Sequence, residues 1–250
     1  MAKVWIGTSG YYYKHWQGVF YPLKLPQRKQ LEYYSQFFDT VELNVTFYRL
    51  PQEKAFLSWY ERTPKDFLFT IKGSRFITHI KRLKNCTEPI KRFFEKVSLL
   101  KEKLGMILWQ LPPNFKCNLS RLKDFLDALH PYTNYHHTFE FRHPSWFCRE
   151  AHDMIKQQKM ALCQSDWPNL VEVTDDYPFI YIRRHGSPLY AGCYNRKELQ
   201  QDAEYILSQF RFNRNVFVYF NNDAFGYAIK NALELKEIIK KDIHKDCIAE

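Results

Sequence analysis

The stretch Phe139-Glu140-Phe141-Arg142-His143-Pro144-Ser145-Trp146 alternates two aromatic residues with two charged ones before His-Pro breaks the run. A period of two is that of a strand with opposite faces. If the aromatic face packs against helices, Glu140 and Arg142 turn the other way, toward a space shared with other strand ends. A carboxylate there has the chemistry of a general acid or base. An aromatic surround disfavours its charged form and a neighbouring cation favours it, so opposed effects set its pKa near the working pH.

Other strand-like runs end in similar residues. Residues 40–46 carry Glu42 and Asn44 at one parity, 67–72 end on Lys72, and 106–111 carry Gln110. Residues 160–166 end on Asp166, and 179–186 carry Arg183 and His185 before Gly186. Residues 215–222 end on Asn221 and Asn222; their apolar residues fill both parities, which leaves open which asparagine turns inward. His79 follows Lys72 in a basic loop. Brought to one end of a barrel, Lys72 on the third strand faces Arg183 on the seventh, and Glu42 on the second faces Asp166 on the sixth. Two cations across a mouth suit a phosphate or carboxylate, Arg as a planar fork and Lys as a point charge. Glu140 is expected as the acid or base, Asp166 as the rival carboxylate, and His185 beside them, with Gly186 exposing a backbone N–H. The residues expected to hold a ligand are Glu42, Asn44, Lys72, His79, Gln110, Arg142, Arg183, Asn221 and Asn222. Each taken singly has a plainer reading: Gln110 or Asn44 as a backbone cap, Glu140 and Arg142 as a structural ion pair. Glu42, His79, Glu140, His143, Asp166 and His185 are all potential metal ligands. Lys72, Arg142 and Arg183 lie among them, however, and the set is formally neutral where a divalent ion wants a net-negative cage. No metal and no other cofactor is expected.

The elements that must position these residues alternate. Eight strand patterns are nearly all followed by helical ones, over residues 26–38, 55–62, 89–104 with Gly105 as its cap, 119–129, 149–158, 197–210 and 228–239. The connection after the sixth strand is too short for a long helix. Strand and helix in alternation imply parallel strands with right-handed crossovers, and eight units in 250 residues match a single (β/α)8 TIM barrel spanning 1–250. An open doubly wound sheet is the other topology, but Gly7-x-x-Gly10 lacks the third glycine of a nucleotide loop.

Composition narrows the class. The chain is 45% hydrophobic, carries a formal charge of +10, and has six cysteines without a C-x-x-C pair. With neither a signal peptide nor an apolar run long enough for a bilayer, it reads as a cytoplasmic protein with free thiols and no membrane partner. Residues 72–103 hold ten Lys or Arg against three Glu, a local excess that suits an anionic partner. A small anionic metabolite is the first expectation. Nucleic acid is the second, with Tyr12, Tyr13, Trp16 and Tyr48 near the rim as stacking surfaces. A non-enzymatic binding module is the third. Oligomeric state is not legible.

Six dispersed motifs, in order, resemble the YecE-like family, also known as domain of unknown function 72. They are Val41-Glu42-Leu43-Asn44 with Thr46-Phe47-Tyr48, Ile77-Thr78-His79, Gln110-Leu111-Pro112-Pro113, Phe139 through Trp146, Arg183-x-His185-Gly186, and Phe220-Asn221-Asn222-Asp223 through Asn231-Ala232. The resemblance runs from Trp5 to about Leu235. It implies a TIM barrel in a soluble bacterial or archaeal protein. It brings no agreed substrate and no catalytic residues, so the site assignments rest on the residues themselves.

Overall fold

The computed structural model describes residues 2–170 and 177–246. Runs rich in β-branched and aromatic residues form eight strands: β1 (Val4–Thr8), β2 (Thr40–Leu43), β3 (Leu68–Lys72), β4 (Leu104–Gln110), β5 (His137–Glu140), β6 (Ala161–Ser165), β7 (Phe179–Arg184) and β8 (Asn215–Phe220). Every ladder is parallel, and the sheet order is β1-β8-β7-β6-β5-β4-β3-β2. The remaining seam, between β1 and β2, is closed by a bridge from Ser9 to Glu42 and by the Gly10 N–H donating to the Glu42 carbonyl at 2.7 Å. A Cβ on Gly7 would lie 3.1 Å from the Thr40 carbonyl carbon, so glycine permits the close approach there. The result is the nearly closed eight-stranded barrel that the alternation predicts.

Eight helices follow in chain order: α1 (Gln30–Tyr34), α2 (Val45–Tyr48), α3 (Glu53–Glu61), α4 (Thr87–Val97), α5 (Leu119–Leu129), α6 (Arg149–Gln157), α7 (Arg196–Arg211) and α8 (Tyr227–Asp246). Their starts follow local chemistry. Asn118 accepts from the Arg121 N–H ahead of α5, and Asn195 with Glu198 forms a reciprocal capping box ahead of α7.

Several boundaries differ from the sequence reading. The first helix is one short turn and a half, because residues 27–29 form a 3-10 turn before it and the chain leaves the helix after Tyr34. β2 ends at Leu43, and Asn44 opens α2 with helical backbone in place of extending the strand. Gly105 does not cap α4. A 3-10 segment over residues 98–103 intervenes, and Gly105 lies inside β4, packed on Leu68. β5 ends at Glu140, so Arg142 leaves from the connection beyond it. β8 ends at Phe220, and both Asn221 and Asn222 lie past it. The connection after β6 passes through residues 171–176, which, like Cys247, lie outside the described residues.

Alternation then sorts the side chains. Phe139 faces outward against Phe125 of α5, and Phe141 stacks on Trp146 at 4.7 Å between ring centroids. Trp109 on β4 likewise meets Phe93 of α4 and Phe125. Full burial of each such side chain stabilises the layer by about 1.5–3 kcal/mol. Inside the barrel, Trp5 stacks on Phe217 at 4.6 Å toward the strand starts. Higher up, the Tyr219 hydroxyl bonds the Thr40 and Thr70 hydroxyls at 2.6 and 2.8 Å. The interior becomes polar as it approaches the carboxyl ends of the strands, where (β/α)8 barrels carry their working residues.

Candidate functional site

The next layer above Tyr219 belongs to Glu42 and Arg183. Glu42 on β2 and Arg183 on β7 are both fully buried, with Arg183 Nη2 donating to Glu42 Oε1 at 2.8 Å. Glu42 Oε1 also accepts from the Ser9 hydroxyl, and Oε2 accepts from the Tyr181 hydroxyl at 2.6 Å. Ser9 Oγ in turn accepts from Arg183 Nη2 and from Asn44 Nδ2, each at 3.0 Å. Arg183 Nη1 donates to Glu140 Oε2 on β5, and Arg142 Nε donates to Glu140 Oε1 at 2.6 Å. The four side chains thus form an alternating row, Glu42–Arg183–Glu140–Arg142, with every carboxylate oxygen accepting a hydrogen bond. Burial alone would raise both carboxyl pKa values. At Glu42 the Arg183 charge, then Lys72 and the Ser9 and Tyr181 hydroxyls, outweigh it and hold the carboxyl below the usual glutamate range; at Glu140 the Arg142 and Arg183 charges lead and hold it well below that range.

This geometry changes the expected roles. Glu140 is an anion locked between two arginines, not a group poised to exchange protons near neutral pH. The pairing of Glu42 across the barrel is with Arg183 and Tyr181 of β7 rather than with Asp166, whose oxygens are taken by His185 and Gly186. Arg183 has both terminal nitrogens on carboxylates and its Nε buried without a partner among the described residues. It therefore presents no fork to an anion between itself and Lys72.

Asp166, one residue past β6, belongs to a second group. Its Oδ1 accepts from the His185 backbone N–H at 2.7 Å and lies 3.2 Å from His185 Nδ1. Its Oδ2 accepts from the Gly186 N–H at 3.1 Å and from the Tyr194 hydroxyl. The Gly186 N–H, expected to be free, is thereby occupied. Burial would raise the Asp166 pKa, but these donors hold it down at about 2. His185 Nε2 is 3.3 Å from both Arg142 Nη2 and Arg183 Nη1. Guanidinium groups only donate, so Nε2 accepts and the ring proton sits on Nδ1 toward Asp166. Burial lowers the His185 pKa further, against the pull of Asp166 and Glu140, and keeps the imidazole neutral. Asp166 and His185 are held together at one edge of the ionic row.

Lys72, the last residue of β3, is the exception. It is half-buried, its carbonyl accepts from Thr46 Oγ1 at 2.7 Å, and its Nζ lies 4.3 Å from the centroid of the Phe47 ring with no hydrogen bond or ion pair among the described residues. Burial and the Arg183 charge push its pKa down to about 7, against the upward pull of Glu140 and Glu42. His79 joins it at the mouth from a turn of π-helix over Phe76–Ile80, with its ring packed 4.9 Å from Phe47. Burial and the surrounding cations, Lys72 first, lower its pKa to about 4. Arg142 lies with its guanidinium carbon 3.7 Å from the centroid of Trp167, and its Nη1 reaches the Tyr190 hydroxyl only at 3.5 Å.

Other predicted residues stand apart. Gln110 Nε2 donates to the Leu111 carbonyl at 2.7 Å and acts as a backbone cap. Asn222 is buried, donating to the Gly192 carbonyl and to Asn231 Oδ1, and ties the loop after β7 to α8. Asn221 is half-buried, with its backbone N–H on the Arg184 carbonyl. His143 bonds Ser145 within its own turn. Trp16 is fully buried and donates to Asp223 at 2.8 Å, so it offers no face to a base. Beside the mouth, Tyr11, Tyr12, Tyr13, Asn44 and Trp59 line a cavity of about 690 Å³. Among the described residues no three His, Cys, Asp or Glu side chains are grouped to hold a metal ion, and no helix is long and apolar enough to cross a membrane.

Sequence reasoning missed Ser9, Tyr181, Trp167, Tyr190 and Tyr194. Tyr181 was legible, two residues before Arg183 and at the same parity. Ser9 follows the last residue of β1 at the parity of Gly7 and was readable in the same way. Trp167, Tyr190 and Tyr194 lie in connections, where no periodicity marks the inward side.

Comparison with known proteins places the geometry in context. Residues 5–248 match the family described as "Protein of unknown function DUF72". The UPF0759 protein YunF of Bacillus subtilis is 26% identical over 253 aligned residues, covering 88% of this chain and 89% of that one. The UPF0759 protein YecE of Escherichia coli is 37% identical over 120 residues, 48% of this chain and 43% of its own length. A crystal structure of a DUF72 family protein from Thermotoga maritima superposes with a TM-score of 0.82 at 30% identity, over 95% of this chain and 99% of the other.

Proposed function

This chain belongs to the DUF72 family, and on that footing we propose that its barrel mouth binds a small anionic metabolite, phosphorylated or carboxylated, and converts or carries it without a metal. The observation behind this reading is the imbalance among charged groups. The oxygens of Glu42, Glu140 and Asp166 are all taken by donors. Among the described residues Lys72 Nζ has no acceptor, and Arg142 Nη1 has only a long contact to Tyr190. The mouth therefore has unfilled donors and no unfilled carboxylate acceptor, which suits an anion and not a cation. Arginines interleaved between the carboxylates argue in the same direction against a divalent ion. Arg142 replaces Arg183 as the guanidinium that meets the anion, through Nη1, with its plane stacked on Trp167.

Native mass spectrometry of freshly purified protein tests the reading, followed by calorimetry with inorganic phosphate and pyruvate. The expected result is binding that weakens about tenfold in Arg142→Lys, since the Nη1 donor held in place by Trp167 and Glu140 is lost while the charge stays. No co-purified ligand and no heat with either anion would end the proposal.

A second reading, nucleic acid, has one observation in its favour. Tyr48 is 79% exposed beside exposed Arg49, and the turn from Arg75 to Lys84 carries further basic residues at the same rim. Binding to random single-stranded DNA that falls steeply with salt would favour it over the first. Ligand bound with no turnover of any kind would leave the third reading, a barrel that only binds.

A further inference from the structure

We infer that Lys72 is a nucleophilic amine that condenses with the carbonyl carbon of an oxo-acid or keto-phosphate held in the barrel mouth. This deepens the anion-binding reading and rests on it. Lys103 is buried and, like Lys72, has its Nζ over an aromatic ring, 4.7 Å from the Tyr60 centroid, but that Nζ donates to the Tyr60 carbonyl at 2.5 Å, the Thr63 carbonyl at 2.7 Å and Thr63 Oγ1 at 3.2 Å. Three donors meet three acceptors, as a structural lysine requires. Lys72 Nζ meets none among the described residues and lies over the face of Phe47. Leaving an ammonium partly out of water without a hydrogen bond is costly, and such a site favours the neutral amine.

The surroundings act in the same direction. Arg183 on β7 and Arg142 after β5 disfavour charge on Lys72, while Glu42 on β2 and Glu140 on β5 favour it but are already bonded to the arginines. His79, on the same Phe47 ring, is itself held neutral. The net effect places the Lys72 pKa at about 7, against an ordinary value near 10.5. A lysine lowered in this way is the amine that forms Schiff bases.

The substrate class follows from the neighbours. An amine attacks a carbonyl, and Arg142 Nη1, open toward Tyr190, can hold a carboxylate or phosphate on the same molecule. The Nζ lone pair adds to the carbonyl carbon, forming a C–N bond, and the carbonyl oxygen takes up a proton. The resulting carbinolamine loses that oxygen as water, with the remaining hydrogen supplied from nitrogen, and a C=N bond is left. Amine and carbonyl give imine and water, with no oxidant or reductant involved. His79 provides a neutral imidazole at the mouth to relay the protons.

The test is trapping. The full chain is incubated at pH 7 with pyruvate, and separately with dihydroxyacetone phosphate, in the presence of sodium cyanoborohydride. The reduced adduct is then located by peptide mass mapping. Binding of each compound without reductant is measured in parallel by calorimetry. The expected result is an adduct at Lys72 at least about tenfold above any other lysine, because ordinary lysines are almost wholly protonated at pH 7. It should be lost in both Lys72→Arg and Lys72→Met, with folding checked by melting temperature, and slowed by excess inorganic phosphate. Adducts on other lysines with Lys72 bare would overturn the inference. Heat of binding without an adduct would overturn it and leave the anion reading standing. A Lys72 adduct indifferent to phosphate would uphold the amine and remove the anion reading. Neither heat nor adduct with either compound would remove both.

Discussion

Arg183 Nη2 lies 2.8 Å from Glu42 Oε1, and neither side chain has any exposure to solvent. The same guanidinium holds Glu140 through Nη1, so one arginine ties together two buried carboxylates from different strands, with Arg142 supplying the second positive charge. Arg183→Met would leave both with too few partners. Removing one member of a buried ion pair costs about 3–5 kcal/mol, and a loss of that size is expected in urea unfolding at pH 7. Arg183→Lys should lose less, since it keeps the charge but not the two-sided reach. A Met variant as stable as the parent would show that the row Glu42–Arg183–Glu140–Arg142 is not what holds the upper barrel.

Glu140→Gln separates a structural carboxylate from a catalytic one. Its pKa in the folded chain is well below the usual range near 4.5, a lowered value for an acid. Such a group contributes stability that is complete above its unfolded pKa and is lost as pH falls through the folded one. The variant should therefore be less stable by about 3 kcal/mol at neutral pH, and the gap should narrow in acid. Urea midpoints at pH 7 and pH 3 measure both numbers. An unchanged midpoint at pH 7 would return Glu140 to the list of groups that exchange protons.

Lys72→Met should act in the opposite direction. The Lys72 pKa is depressed to about 7 in the folded chain, so the fold disfavours its charged form. The penalty is absent where lysine is neutral in both states, grows as pH falls from about 10.5 toward 7, and is constant below that. After allowance for its half exposure, the variant is expected to gain about 1–2 kcal/mol at pH 7 and nothing near pH 11. Thermal melts across that range check it. Stability that rises while ligand binding or adduct formation disappears marks a residue held against the interest of the fold.

The sequence alone determined where the strands run and, on strands such as β5 and β7, which face is polar. Glu140 against Phe139, and Arg183 against Ile182, are decided within a few residues by a period of two, and that period survives any packing. It also determined the barrel, because alternating strand and helix patterns admit few parallel topologies. Partnership across the barrel was a different matter. Whether Glu42 meets Asp166 or Arg183 depends on strand stagger and on how far a guanidinium reaches, and neither is local. Strand ends mattered as well. Asn44 and Arg142 continue an alternating pattern on paper, yet the chain has already turned at Leu43 and Glu140, so their side chains leave at angles that periodicity does not describe. The distinction between Lys72 and Lys103 was least legible of all. Both lie over an aromatic ring, and only the tertiary structure decided that the Lys103 Nζ finds three oxygens and the Lys72 Nζ none among the described residues. Burial and hydrogen-bond supply are set by segments distant in the chain, and those two quantities determine what a charged side chain can do.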